Sequence, residues 1–141
     1  MPFKILPDTA TADVAFEATG TSLNELFESA CVATSDVMAD LKTVTQKKKK
    51  KFSKSNAKLD RLLYDVLDEL VFLKDADNLI FSKFSVKIKE GTPNHAEVTA
   101  SGQKIDQKSM SLRNDIKAVT WHLFELQKTK SGWSAKVLLD V

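Results

Sequence analysis

The chain has 141 residues, 43% apolar and 28% charged, values that suit one globular domain with a real hydrophobic core and exclude a disordered class. No apolar run approaches the roughly 18 to 20 residues of a spanning helix, and the first residues lack a secretory-signal order, so a cytoplasmic chain without membrane contact is expected. A net charge of +2 is too small to argue for a partner, so any basic signal must be local, and the lone Cys31 has no partner for a disulfide or a zinc knuckle.

In chain order, Asp13 to Thr19 alternates, with Val14, Phe16 and Ala18 on one face before Gly20 breaks the pattern, and predicts a strand. Ser22-Leu23-Asn24-Glu25 has the S-x-x-E spacing of a capping box and predicts a helix start. Leu23, Leu26, Phe27, Ala30, Thr34, Val37 and Met38 then keep helical spacing, with Cys31 beside the stripe as a small core residue. Residues 41–55 contain "VTQKKKKKFSKS", whose lysines suit an exposed edge strand. Leu59, Leu62, Leu63, Val66, Leu67, Leu70 and Leu73 form the stripe of a second helix. After Asn78, Ile80, Phe84, Val86 and Ile88 alternate against Lys83, Ser85, Lys87 and Lys89; "EGTPN" interrupts, and Ala96, Val98 and Ala100 mark a hairpin partner.

The runs "DIKAVTWHLFEL" and "WSAKVLLDV", joined by Thr129 to Gly132, predict a closing hairpin. Setting Lys128 against Trp133 puts Phe124 opposite Val137, Leu126 opposite Ala135 and Glu125 opposite Lys136. Unbroken alternation then places Asp140 on one face with Lys117, Val119, Trp121 and Leu123, and His122 inward. The expected class is α+β, a single domain over residues 1–141, mostly antiparallel sheet with two main helices packed on one side.

Enzyme motifs are not found. His95 and His122 lie on different strands outside any metal-ligand spacing, and there is no nucleophile elbow or glycine-rich phosphate loop. The run Lys47–Lys51 has two readings, a grip on phosphates and a guard against edge-to-edge pairing; with no interleaved aromatics the second is the simpler. Asp13 opens the first alternating strand and Asp140 closes the last. Carboxylates from two strand ends suit a hard cation, but such acids are usually solvated, so spacing alone is a weak metal signal; the plainer reading of Asp140 is a surface ion-pair partner of Lys117, worth about 0 to 1 kcal/mol.

The blocks "TADVAFEATGTSLNELFESA", "LLYDVLDELVFL", "LIFSKFSVKI", "DIKAVTWH" and "KVLLDV", in this order over nearly the whole chain, resemble the archease family. The resemblance implies a protein that is not itself an enzyme. It would activate the GTP-dependent tRNA-splicing ligase by promoting guanylylation and multiple turnover, with any link to tRNA running through that ligase. It also implies a divalent-metal site, assigned as calcium, at Asp13, Asp140 and Val141, and a functional role in activation for Lys117. The T-A-D block is commonly preceded by histidine, and here the residue is Ala10; Asp115 stands where glutamate is frequent. The alternative function is an RNA-binding module using Lys47–Lys51 and the basic strand Lys83–Lys89; a metal-dependent hydrolase built on Asp13 and Asp140 lacks an evident general base.

Overall fold

The computed structural model describes residues 3–10 and 13–141, with side chains for all of these except 7–10. Strands β1 (Phe3–Ala10) and β2 (Asp13–Gly20) pair antiparallel. Alternation predicts β2; β1 carries Pro7, which argues against a strand by pattern and is tolerated at the outer edge of a sheet. Helix α1 (Leu23–Met38) starts at Ser22, whose hydroxyl accepts from the Glu25 N–H at 3.2 Å. The other half differs from the expected box: the Glu25 carboxylate accepts from the Thr21 hydroxyl at 3.0 Å and tightens the same turn.

Strand β3 (Lys48–Asn56) is an exposed edge strand, as its lysines predict. Helix α2 (Leu59–Asp77) buries Leu62, Leu63, Val66, Leu67, Leu70 and Leu73, and Asn78 in the left-handed conformation (φ 55) ends it. β4 (Leu79–Lys89) pairs with β5 (Asn94–Lys104), and β6 (Ala118–Thr129) with β7 (Gly132–Asp140), both antiparallel. The α+β class is as expected, but the strands divide into two sheets, ordered β1-β2-β7-β6 and β3-β5-β4. Helix α1 packs on β2 of one sheet and β4 of the other, and α2 on β6 and β3, so the helices join the sheets. A helix covered from two sides needs small residues on its second side. Ser29, Ala30, Cys31 and Ala33 of α1 are all buried, beside Leu26 and Phe27, whose burial stabilises by roughly 1.5 to 3 kcal/mol each.

The closing hairpin keeps its expected register near the turn, with Lys128 opposite Trp133, Leu126 opposite Ala135 and Glu125 opposite Lys136. Farther out Thr120 pairs with Leu138, Val119 with Leu139 and Ala118 with Asp140, and the shift falls within residues 121–124, where Leu123 has φ 59. Three expectations are thereby corrected. Phe124 lies in the irregular segment and is not paired with Val137; His122 is exposed, not inward; and Asp140 shares the face of Ala118, not that of Lys117 and Val119, because an odd shift exchanges faces. Aromatic packing accounts for the irregularity. Trp121 and Phe124, on opposite faces of a regular strand, here stack with centroids 4.9 Å apart, and Tyr64 of α2 meets both edge-on at 5.6 and 5.7 Å. The Tyr64 hydroxyl donates to the Val119 carbonyl at 2.9 Å, and the Arg61 guanidinium lies 4.8 Å above the Trp121 ring.

Lys74 of α2 is 5% exposed, and its ammonium donates to the Asp115 carboxylate and, at 2.8 Å, to the Ile116 carbonyl, while pairing with Asp75 at 2.7 Å. Burial pulls its pKa down, but the hydrogen bonds and charges of Asp115 and Asp75 together outweigh that and hold it above the ordinary lysine value. The clamp fixes the approach to β6 immediately before Lys117.

At Gly132 (φ 144) a Cβ would sit 2.1 Å from the Gly20 carbonyl oxygen, so Gly132→Ala is expected to cost roughly 3 kcal/mol in urea unfolding. Gly91→Ala, whose nearest contact would be 3.5 Å away, should stay within about 0.5 kcal/mol. Because the Lys74 pKa is raised on folding, its contribution is full below the unfolded value of about 10.4 and is lost as pH rises through the folded value. Melting temperatures of wild type and Lys74→Met should therefore converge at strongly alkaline pH. Asp75→Ala with Asp115→Ala, which strands the ammonium, should destabilise more than Lys74→Met at neutral pH.

Candidate functional site

One row of residues crosses the four-stranded sheet at the end remote from the β6–β7 turn: Ala10, Asp13, Asp140 and Ala118, each paired with the next. Asp13 and Asp140 are direct cross-strand partners and leave the sheet on one face, where opposed Cβ atoms are about 4.5 to 5.5 Å apart. Two like charges in that relation repel unless a cation lies between them. Their meeting follows from a ladder without interruption, from Gly20 opposite Trp133 through Phe16 opposite Val137 to Asp13 opposite Asp140. At the ladder's far end a Cβ on Gly20 would lie 2.4 Å from the Leu26 nitrogen, so only glycine lets β2 run this close to the first turn of α1.

The other expected site residues gather at the acid pair through the main chain. Val141 packs against the core, and the Lys117 N–H donates to the Asp140 carbonyl at 2.7 Å. The Lys117 side chain is exposed, and a Lys117–Asp140 ion pair is not among those formed by the described residues. Asp115 belongs to the Lys74 clamp, although its own side chain is largely exposed. Ala10 pairs through its backbone with Asp13; its side chain, and Thr11 and Ala12 of the T-A-D block, lie outside the described residues.

The donors at this end are hard oxygens, which suit calcium or magnesium better than zinc or copper. Among the described residues no group of three or more His, Cys, Asp or Glu side chains is arranged for a metal. Cys31 contributes no nucleophile, because burial, and secondarily the charge of Glu28, push its thiol pKa far up. His95 lies on the other sheet from His122, with its Nδ1 2.7 Å from the Ser55 hydroxyl oxygen. The alternation reading missed Lys74 and the Arg61–Trp121–Tyr64 cluster, which meet only when α2 crosses the β6 end of the sheet.

Among the described residues no helix is long and apolar enough to cross a membrane. The sequence profile of the Archease protein family matches residues 3–141. Protein archease of Methanothermobacter thermautotrophicus is 38% identical over 132 residues, covering 93% of this chain and 94% of the relative. Protein archease of Methanosarcina barkeri is 35% identical over 133 residues, covering 93% and 91%. The solution structure of Methanobacterium thermoautotrophicum protein 1598 superposes with a TM-score of 0.86 at 36% identity, covering 99% of this chain and 98% of that one. The crystal structure of a Thermotoga maritima archease, described as a possible chaperone, is 20% identical, covers 96% of each chain and shares the fold with a TM-score of 0.64. With a profile match over nearly its whole length and relatives above one-third identity, this chain belongs to the archease family.

Proposed function

We propose that this chain is a cytoplasmic accessory protein that activates a GTP-dependent RNA-splicing ligase in tRNA maturation, promoting the ligase's guanylylation and multiple turnover while catalysing nothing itself. Family membership supports the activator role, and the direct opposition of Asp13 and Asp140 is the observation that carries the site. The two carboxylates and a main-chain oxygen of Val141 would hold a divalent cation. Calcium suits this set best, because it accepts flexible oxygen shells completed by water or by a partner's phosphate oxygens. Such a cation supplies positive charge against a nucleotide's phosphates. Lys117, tied to Asp140 through its N–H, offers a second positive charge from an exposed side chain and is not a ligand, since an ammonium has no lone pair to donate.

The test separates these roles. Asp140→Asn is expected to abolish calcium binding in calorimetric titration and to abolish ligase activation. Its stability should lie within about 0.5 kcal/mol of wild type or above it, since one of two opposed charges is removed. Lys117→Ala keeps its N–H bond to the Asp140 carbonyl and should reduce activation with calcium binding intact. Wild-type activation by Asp140→Asn would overturn the metal-site reading.

A further inference from the structure

The three-stranded sheet turns one face to the helices and the other to solvent, and its register sorts the lysines between them. On β3, Lys50 and Lys54 fall on the helix side, where Lys50 pairs with Asp77 at 3.7 Å and Lys54 with Glu69 at 3.0 Å, both acids of α2. Lys49 and Lys51 alternate to the outer face. There Lys49 shares a row with Ser101 and Lys83, and Lys51 with Thr99 and Ser85. Ser53 follows with Glu97 and Lys87, and Ser55 with His95 and Lys89. The five outer lysines, 49, 51, 83, 87 and 89, are exposed and enter none of the ion pairs among the described residues; Glu97 is the one carboxylate in these rows.

Relief accompanies the charge. The central strand β5 contributes small Ser101 and Thr99 between lysine ridges on β3 and β4, about 9 to 10 Å apart across two strand spacings. Two hollows open on this face, about 440 Å³ between Lys51 and Lys87 and about 220 Å³ between Lys49 and Lys83. Successive outward lysines on one strand are about 6.8 Å apart, comparable to phosphates along an extended single strand.

We infer that the outer face of the β3-β5-β4 sheet binds the ribose-phosphate backbone of single-stranded RNA, with the chain lying along β5 between the two lysine ridges. Protein-binding surfaces are enriched in aromatics, methionine and arginine and depleted in lysine, the opposite of these rows. Lysine acts on phosphate as a point charge and needs no fixed geometry, and the Ser and Thr hydroxyls supply hydrogen bonds to the same oxygens. With no Phe, Tyr or Trp in the rows and a single imidazole, His95, in the row of Ser55 and Lys89, the bases lack a continuous stacking platform, so binding is largely independent of sequence. This face is distinct from the Asp13–Asp140 pair, which lies on the other sheet, and the inference does not rest on the ligase-activation reading.

The experiment is fluorescence anisotropy of a labelled mixed-sequence single-stranded RNA over a range of salt. With three to five phosphates engaged, log K should fall with log salt with a slope of about −2 to −3.5. Lys51→Gln with Lys87→Gln is expected to lose about tenfold in affinity and to flatten the slope by about 1.4, one phosphate per lysine. Lys50→Gln with Lys54→Gln removes the same net charge from the helix side and should stay within about twofold, with circular dichroism showing both variants folded. Asp140→Asn should bind RNA like wild type, which keeps this result separate from the metal site. Equal losses for the two lysine pairs, tighter binding to a polyglutamate peptide or to duplex RNA, or no binding at low salt would overturn the inference.

Discussion

The pairing of β2 with β7 is the constraint on which the rest of this structure depends. One end of the ladder is closed by glycines, where Gly132 meets the Gly20 carbonyl and Gly20 lies against the first turn of α1 with no room for a Cβ. From that corner the register runs without a bulge to the opposite end, so the meeting of Asp13 and Asp140 is determined by backbone contacts seven pairs away. A slip by one residue would turn either Phe16 or Val137 out of the core and would part the two carboxylates at the same time. Apolar burial thus enforces the position of two acids that contribute little to stability themselves.

β6 obeys a different constraint on the other side of β7. Its turn-proximal half follows the hairpin, its far half follows the Tyr64 bond to Val119 and the clamp around Lys74, and the mismatch is taken up where Leu123 has positive φ. Lys117 and Asp140 consequently share a main-chain hydrogen bond while their residues belong to opposite faces of the sheet. The two are thus tied through the main chain, and among the described residues they form no side-chain ion pair.

Much of this was legible in the residues. The Val14, Phe16, Ala18 alternation, the Ser22 cap and the leucine stripe of α2 each describe a local environment, and each element forms where its pattern lies. Two sheets were not legible, because alternation reports that one face of a strand is buried and not which helix face covers it. The second buried side of α1 rests on Ser29 and Ala33, residues small enough to leave little periodic signal. Period-two counting carried past residue 121 put His122 inside and Lys117 beside Asp140, since no local pattern announces the aromatic stack that bends β6. The acids at the candidate site were visible as strand ends, and family resemblance joined them; their direct opposition is a long-range pairing that periodicity does not contain.

The place of β7 within its sheet has a consequence for synthesis. β3, α2, β4 and β5 follow one another along the chain, and their sheet closes from neighbouring segments. The four-stranded sheet has β7, the last of these strands in order, between β2 and β6, so β2, made well before β7, has no partner on its inner edge until residues 132–140 exist. Closing that long loop is entropically costly, and such non-local pairing is slow. During translation the nascent β1–β2 pair therefore exposes an open strand edge while the other half of the domain can already assemble, and it is in that interval that the chain is most vulnerable to pairing with the wrong partner.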